Sequence, residues 1–313
     1  MSTPLIEQQI YLLERYVSLE YFGMMRDAFN AMLRAGYAAL DEFMLHLPND
    51  YRSQHLSHQP DIVWGERVLP NFARTAEYVD AAYERLAMAG DFTALFAANG
   101  VINDFAGVGR DYLNYWMPEP FRTEYDAKWS LVMAIAPDIC NTVTANWRFG
   151  KLYDIPWGKH SHIYWKLLPP PKTWPIYRLN PNVQVRTGEE APRSGIYLPE
   201  ASESCPQFII EGDPAWKAEI GWDESNFKPR SVEPTLWTLV ERVADEGGPV
   251  PGRESWRTDN APARVEGGQP CPHDGFWWTP ASREGQGHFK KGDIMPNYTR
   301  SQYGATIWYR EKK

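Results

Sequence analysis

A short pattern of glycine, proline and aromatic residues occurs twice in the second half of the chain. The first copy reads VRTGEEAPRSGIYLP from Val185 to Pro199, and the second reads VEGGQPCPHDGFWWTP from Val265 to Pro280. In both copies valine is followed by glycine, proline, a second glycine, an apolar run with aromatic residues and a final proline. These residues exclude a continuous helix, because glycine favours turns and proline lacks the backbone N–H. The pattern therefore restricts this half to short strands joined by turns.

The match between the two copies extends beyond these segments. Each copy continues into a Gly–Asp pair, at Gly212 and Gly292, and ends in a Thr-x-Trp strand that contains Trp237 or Trp308. The spacings differ mainly by extra residues before Thr235. We predict that each copy is an antiparallel unit of three or four strands, in which the tryptophan of the last strand packs inward. No histidine or cysteine is shared by the two copies, which favours a structural repeat over a duplicated binding site.

The first 150 residues have the apolar spacing of helices. A helix is predicted over Asn71 to Met88, and Thr123 is predicted to start another in a variant capping box. Pro137 should kink or end that helix. A polar stretch from His46 to Pro70 predicts a long connection. The side chains predicted to face inward on the helix over 71–88 are Tyr78, Ala81, Ala82 and Leu86.

The pattern of elements predicts an α+β fold, with an N-terminal helical bundle followed by two tandem small antiparallel β units. We place the helical domain at residues 1–158. The first β unit, with a proline-rich lead-in, is placed at 159–246. The second β unit, which begins with a Gly/Pro-rich linker, is placed at 247–313.

The excess negative charge lies entirely in the first half of the chain. The net charge is −8, and residues 1–158 contain 12 Lys and Arg against 20 Asp and Glu. This distribution argues against a nucleic-acid-binding protein, which needs a basic face. It is compatible with a basic protein partner.

Particular acidic and aromatic residues are candidates for partner binding. Glu77, Asp80 and Glu84 share one face of the predicted helix, and Glu119 belongs to a second acidic cluster near a helix start. A solvated helix face is the alternative interpretation of the first cluster, and the helix dipole partly explains the second. The adjacent tryptophans at 277 and 278 alternate in direction along a strand, so they cannot both face one core. We therefore add Trp277 and Trp278 to the candidate contact residues.

The sequence contains no recognised catalytic or nucleotide-binding motif. His160 and His162 lie two residues apart, but no acidic or thiol ligand stands at a recognised spacing from them. Cys140 lies in an apolar helical context, which predicts a buried thiol. We predict no catalytic residue, no cofactor and no metal. The first residues lack a basic region before an apolar run, and no apolar stretch is long enough to span a bilayer, which predicts a cytoplasmic protein without a membrane segment.

The quoted segments, with FKKGDIMP and YGATIWY in the second copy and TLWTLVERV in the first, resemble the immunity-protein families numbered 71 and 72 of bacterial polymorphic toxin systems. The resemblance covers Val183 to Arg310, and the first copy departs from the pattern because it lacks the Cys-Pro and the paired tryptophans. The resemblance implies an immunity protein that binds a cognate secreted toxin, as in type VI secretion, and has no enzyme activity.

Two other function classes remain open at this point. One is an enzyme with an unrecognised hydrolase site that reverses toxin damage. The other is a glycan-binding module that uses an exposed tryptophan at 277 or 278. Neither the toxin nor the oligomeric state follows from the sequence.

Overall fold

The computed structural model describes residues 3–154, 168, 171–247, 264–279, 281–282, 285–298 and 306–310. The chain forms two compact units, Met1–Arg253 and Glu254–Lys313. The first unit contains the helices and the first copy of the repeat, and the second unit contains the second copy. The fold is α+β, with helices in the first half and antiparallel sheets in the second, which confirms the prediction.

The helical half is built around two long helices that pack against each other, α2 and α5. None of the helices in the described residues is long and apolar enough to cross a membrane. The α-helices are α1 Glu7–Tyr16, α2 Leu19–Leu45, α3 Leu69–Ala89, α4 Ala97–Asp111, α5 Phe121–Val143 and α6 Lys151–Asp154. The connections contain 3-10 turns at Tyr51–Ser53, Leu56–His58 and Phe92–Phe96, and a π-helix at Asp61–Val68.

The buried stripe of α3 differs from the prediction. Ala82 and Leu86 are buried, as predicted, but Tyr78 is 53 % exposed and Ala81 is also exposed. The apolar residues that meet α2 and α4 recur at three- and four-residue steps, and Tyr78 and Ala81 fall outside that stripe. The helix ends at Gly90, whose φ of 63° lies in the left-handed region that glycine adopts most easily. The buried residues of α3 are Leu69, Phe72, Ala76, Val79, Ala82 and Leu86.

Helix α5 does not end at Pro137, and it is not opened by a capping box at Thr123. The helix continues through Pro137 to Val143, because buried side chains such as Val132 and Ile139 hold both sides of the proline in the core. Its start is capped by Glu119 and not by Thr123. The Glu119 carboxylate accepts a hydrogen bond from the Thr123 backbone N–H at 3.3 Å and from the Thr123 hydroxyl at 2.6 Å. At Pro137, packing in the core outweighs the tendency of proline to end a helix. At the start of α5, the carboxylate of Glu119, four residues before Thr123, takes the place of the predicted Thr123 cap.

Each copy of the repeat forms a four-stranded antiparallel sheet, as predicted. The strands are β1 Ile176–Arg186, β2 Gly195–Pro199, β3 Gln207–Ile209, β4 Ala218–Ile220, β5 Ser231–Glu233, β6 Leu236–Ala244, β7 Arg264–Glu266, β8 Gly275–Trp278, β9 Gln286–Phe289 and β10 Ile307–Arg310. The first sheet has the order β1-β6-β2-β3 and the second has the order β7-β10-β8-β9, which is the same topology. The Thr-x-Trp strand is an inner strand of each sheet. The extra residues before Thr235 include a separate hairpin of β4 and β5.

The turns of the two copies are held by equivalent backbone hydrogen bonds. The Gly188 N–H donates to the Ala215 carbonyl at 2.8 Å, and the Gly268 N–H donates to the Met295 carbonyl at 2.7 Å. Both glycines have nearly the same left-handed φ, 88° and 87°. The indoles of the two inner-strand tryptophans also donate to equivalent backbone carbonyls, each at 2.8 Å. The shared glycine and tryptophan positions therefore specify the same arrangement of strands and turns in both copies. We call this arrangement the frame.

Candidate functional site

Strands β2 and β3 of the first sheet are buried on both faces. Along β2, Tyr197 points into a small core of the sheet itself, while Ile196 and Leu198 join the core formed with the helices. On β3, Phe208 also joins the helical core, and its ring centroid lies 5.0 Å from that of Phe92. Helix α1 lies against β2, and α5 lies against β3. We call this side of the first sheet the helix-covered face, and its residues are Ile196, Leu198, Phe208 and Ile210.

The equivalent side of the second sheet is exposed to solvent. Phe276 and Trp278 stand eighty positions after Ile196 and Leu198, and they are 53 % and 46 % exposed. The ring of His288, which occupies the position of Phe208, is paired with Phe276 across the sheet at 5.2 Å. Trp278 is paired with Tyr309 of the inner strand at 5.1 Å. We call this side the open face, and its residues are Phe276, Trp278, His288 and Tyr309.

The two adjacent tryptophans have different roles. Trp277 is 1 % exposed, packs with Trp308 in the core of the second sheet, and donates from its indole to the His273 carbonyl at 3.2 Å. Its side chain is therefore removed from any contact surface, contrary to its place among the candidate contact residues. Trp278 points to the opposite side and remains a candidate. The period of two along a strand predicts this division but not which tryptophan is buried.

The acidic candidates on α3 lie on its exposed side. Glu77 and Glu84 are exposed, and Met88, which is 88 % exposed, lies on the same helical stripe. Asp80 accepts a hydrogen bond from the Asn30 side chain at 3.0 Å and lies 3.8 Å from Arg26. Asp80 is therefore partly engaged within the molecule. The remaining combination of two carboxylates and an apolar side chain is suited to a basic surface with an apolar contact.

Glu119 is engaged by its own helix. Besides the two bonds to Thr123, its carboxylate forms an ion pair with Arg122 at 2.6 Å. The hydrogen bonds from Thr123 and Arg122 lower the pKa of Glu119 below its usual value. This carboxylate is therefore engaged at the start of α5.

A cleft of about 370 Å³ lies where the polar connection meets the segment after α4. That connection, predicted only as a long loop, folds into 3-10 turns and the π-helix and buries Trp64 at 2 % exposure. The rings of Trp64 and Trp116 meet edge-on at 5.5 Å, and Tyr112, Tyr115 and His58 also line the cleft. The sequence reasoning missed this cleft, although the aromatic run DYLNYWMP contains most of one wall.

The three cysteine thiols of the chain lie in the described residues and are buried. Cys140 is buried, as predicted, and burial raises the pKa of its thiol to about 12. Burial also raises the thiol pKa of Cys205 and of Cys271. Such thiols are poor nucleophiles at neutral pH, because the thiolate is the reactive form. Across the described ranges, no group of three or more His, Cys, Asp or Glu side chains is arranged to hold a metal ion. The pair His160 and His162 lies outside these ranges.

Comparison with known proteins identifies no relative. No known protein family, curated protein or solved structure matches this chain. The function therefore has to be argued from the surfaces of the molecule itself.

Proposed function

We propose that this protein is an immunity protein, which binds a cognate secreted toxin in the cytoplasm and neutralises it by stoichiometric occlusion. The observation that carries the proposal is the open face. The second sheet repeats the frame of the first, but its aromatic side chains stand in solvent where the first sheet has aliphatic side chains under helices. An exposed aromatic surface of this kind is typical of a contact with another macromolecule.

The exposed area favours binding energetically. A fully buried Phe or similar side chain contributes about 1.5–3 kcal/mol relative to its exposed form. Phe276 and Trp278 are about half exposed, so their burial under a partner gives a few kcal/mol in total before the costs of association. Aromatic side chains lose little rotamer entropy when they are fixed, which suits them to be anchors.

The acidic half of the chain supports a basic partner. The net charge of −8 lies in residues 1–158. Glu77 and Glu84 carry part of this negative charge on the exposed side of α3. Long-range attraction of this kind raises the rate of association and contributes less to final affinity. A toxin that acts on nucleic acid or a nucleotide has a basic surface of the required sign.

The resemblance of the Gly/Pro/Trp repeat to immunity-protein families 71 and 72 points in the same direction. The landmarks that carry the resemblance, such as Gly268 and Trp308, belong to the frame of the sheet. They support the class of protein and leave the identity of the toxin open. The proposal includes that the cognate toxin belongs to a type VI secretion system.

Co-expression with the toxin encoded next to this gene tests the proposal. We expect the protein to restore growth of cells that express the toxin, and purified protein to inhibit the toxin at a one-to-one ratio. A stable complex should be recovered by size-exclusion chromatography. Absence of both binding and protection would refute the proposal, and protection at substoichiometric amounts would indicate the enzymatic alternative.

A further inference from the structure

We infer that the open face of the second sheet binds an α-helix of the partner protein, one that presents a ridge of aliphatic side chains. The inference rests on the proposed function and specifies the chemistry of its partner. It follows from the helix-covered face of the first sheet, where helices of the same chain pack on the equivalent side of the sheet.

The two sheets share their strand order and the geometry of their turns, although β1 and β6 are longer than β7 and β10. The strand order, the φ angles of the turn glycines and the backbone hydrogen bonds agree between the two sheets. The cores on their other sides are also equivalent: Tyr197 and Trp277 occupy one position, and Trp237 and Trp308 occupy another. A surface that packs on one sheet therefore fits the curvature of the other.

Helices occupy the face in the first sheet. Helix α1 lies on β2, which is equivalent to β8, and α5 lies on β3, which is equivalent to β9. Both helices contribute aliphatic side chains to the shared core, among them Ile10, Leu13 and Ile139, each no more than 1 % exposed. The occupants of this face in the first sheet are thus two helices with aliphatic side chains, joined by Phe92 of the 3-10 turn before α4.

The side chains of the open face fit a partner that associates and dissociates. Ile196 and Leu198 are replaced by Phe276 and Trp278, and Phe208 is replaced by His288. Aliphatic residues such as Ile196 and Leu198 suit a permanent core, whereas Trp278 and His288 carry ring nitrogens that tolerate solvent in the free protein, and Trp278 still buries a large area when bound. The substitution pattern therefore distinguishes an intermolecular contact from an intramolecular one.

The rim of the open face specifies a charge on the partner. Exposed Lys290 stands at the position of buried Ile210, directly after β9 and two residues from His288. A buried aliphatic position has thus become a basic one at the edge of the face. A carboxylate beside the aliphatic ridge of the partner helix is complementary to this side chain.

A stapled helical peptide with the sequence of α1, EQQIYLLERY, is the probe for this inference. It carries an aliphatic ridge and two glutamates, and its natural site is the strand equivalent to β8. We expect the full chain to bind the fluorescein-labelled peptide with micromolar affinity in fluorescence anisotropy. The double variant Phe276→Ser, Trp278→Ser should bind at least ten-fold more weakly. Replacing Ile10 and Leu13 of the peptide by serine should abolish binding.

A matched control uses exposed aromatic residues of the other unit. Trp216 and Phe227 of the first β unit are 57 % and 78 % exposed, and the variant Trp216→Ser, Phe227→Ser should bind the peptide as the wild type does. Thermal melts of both variants check folding, and the milder Trp278→Phe should retain most of the binding.

Several results would overturn the inference. The inference fails if the wild type does not bind the peptide, or if the double variant binds it as tightly as the wild type does. It also fails if the control variant loses as much peptide binding as the double variant. A concentration-dependent wild-type dimer that the double variant abolishes would assign the open face to a second copy of this chain and would also overturn it. Failure of the toxin to bind refutes the proposed function alone and does not alter the peptide result, so the two failures are distinguishable.

Discussion

Replacing Asp138 by asparagine should make the protein more stable at neutral and alkaline pH. Asp138 lies on α5, is 4 % exposed, and accepts a hydrogen bond from the Tyr21 hydroxyl at 2.9 Å. Burial raises the pKa of this carboxyl from 3.8 to about 7, although the Tyr21 hydrogen bond opposes the shift. The folded state therefore favours the neutral form, because a charge in the core loses its hydration.

The size and sign of the effect follow from this pKa. At about 1.4 kcal/mol per pH unit, the difference between 3.8 and about 7 corresponds to about 4 kcal/mol. A raised folded-state pKa gives a stability contribution that is complete below the unfolded pKa and lost as the pH rises through about 7. The asparagine side chain of the variant stays neutral and still accepts the Tyr21 bond. The variant should gain about 2–4 kcal/mol over the wild type at pH 8 and almost nothing near pH 4.

Urea unfolding followed by circular dichroism at pH 4, 6 and 8 measures this difference. The comparison between variant and wild type cancels the titration of other groups, and the loss of helical signal reports on the unit that contains α5. Asp41→Asn, at an exposed position of α2, is the matched control for the chemical change from Asp to Asn. A pH-independent difference for Asp138→Asn would contradict the account of a buried, neutral carboxyl.

Three further predictions concern the repeat and a helix cap. Trp277→Ser should destabilise the second unit by about 3–5 kcal/mol because it leaves a cavity, whereas Trp278→Ser should change thermal stability little; equal effects would contradict their assignment to opposite faces. Gly188→Ala and Gly268→Ala should each lower the free energy of unfolding, measured in urea, by about 1–2 kcal/mol, because both positions need a left-handed φ. Steric clash adds nothing to this cost, since an added Cβ meets no atom within 4 Å at either position. A large difference between the two variants would argue against equivalent turns. Glu119→Gln should speed hydrogen exchange of the backbone amide that it caps, with no change at the helix centre, and unchanged exchange would refute the cap.

The strands and turns of the repeat were predictable because their determinants are local. A left-handed φ at Gly188 or Gly268, and a proline that ends strand pairing, act over a few residues. The continuation of α5 through Pro137 was not predictable in the same way. It depends on the core on both sides of the proline, which is assembled from distant segments of the chain. The same reason explains the exposed Tyr78, since the buried stripe of α3 is set by its neighbours.

The candidate site was predictable only in part. A strand must separate Trp277 from Trp278, but the sequence does not say which side has a core beneath it. That choice depends on Trp308 and Met295, which reach the same core from other segments of the unit. The aromatic cleft beside Trp64 also required the tertiary structure, because its two walls are separated by about fifty residues of sequence.

The comparison of the two sheets separates residues that build the frame from residues available for recognition. Trp237 and Trp308 make the same hydrogen bond in both copies, so a change at either should affect stability before it affects binding. Leu198 and Trp278 share a position but differ in surroundings, because one lies under helices and the other stands in solvent. Since the frame is the same, the difference at this position is not required by the fold of the sheet. The proposed contact with a partner is therefore assigned to this exposed aromatic surface.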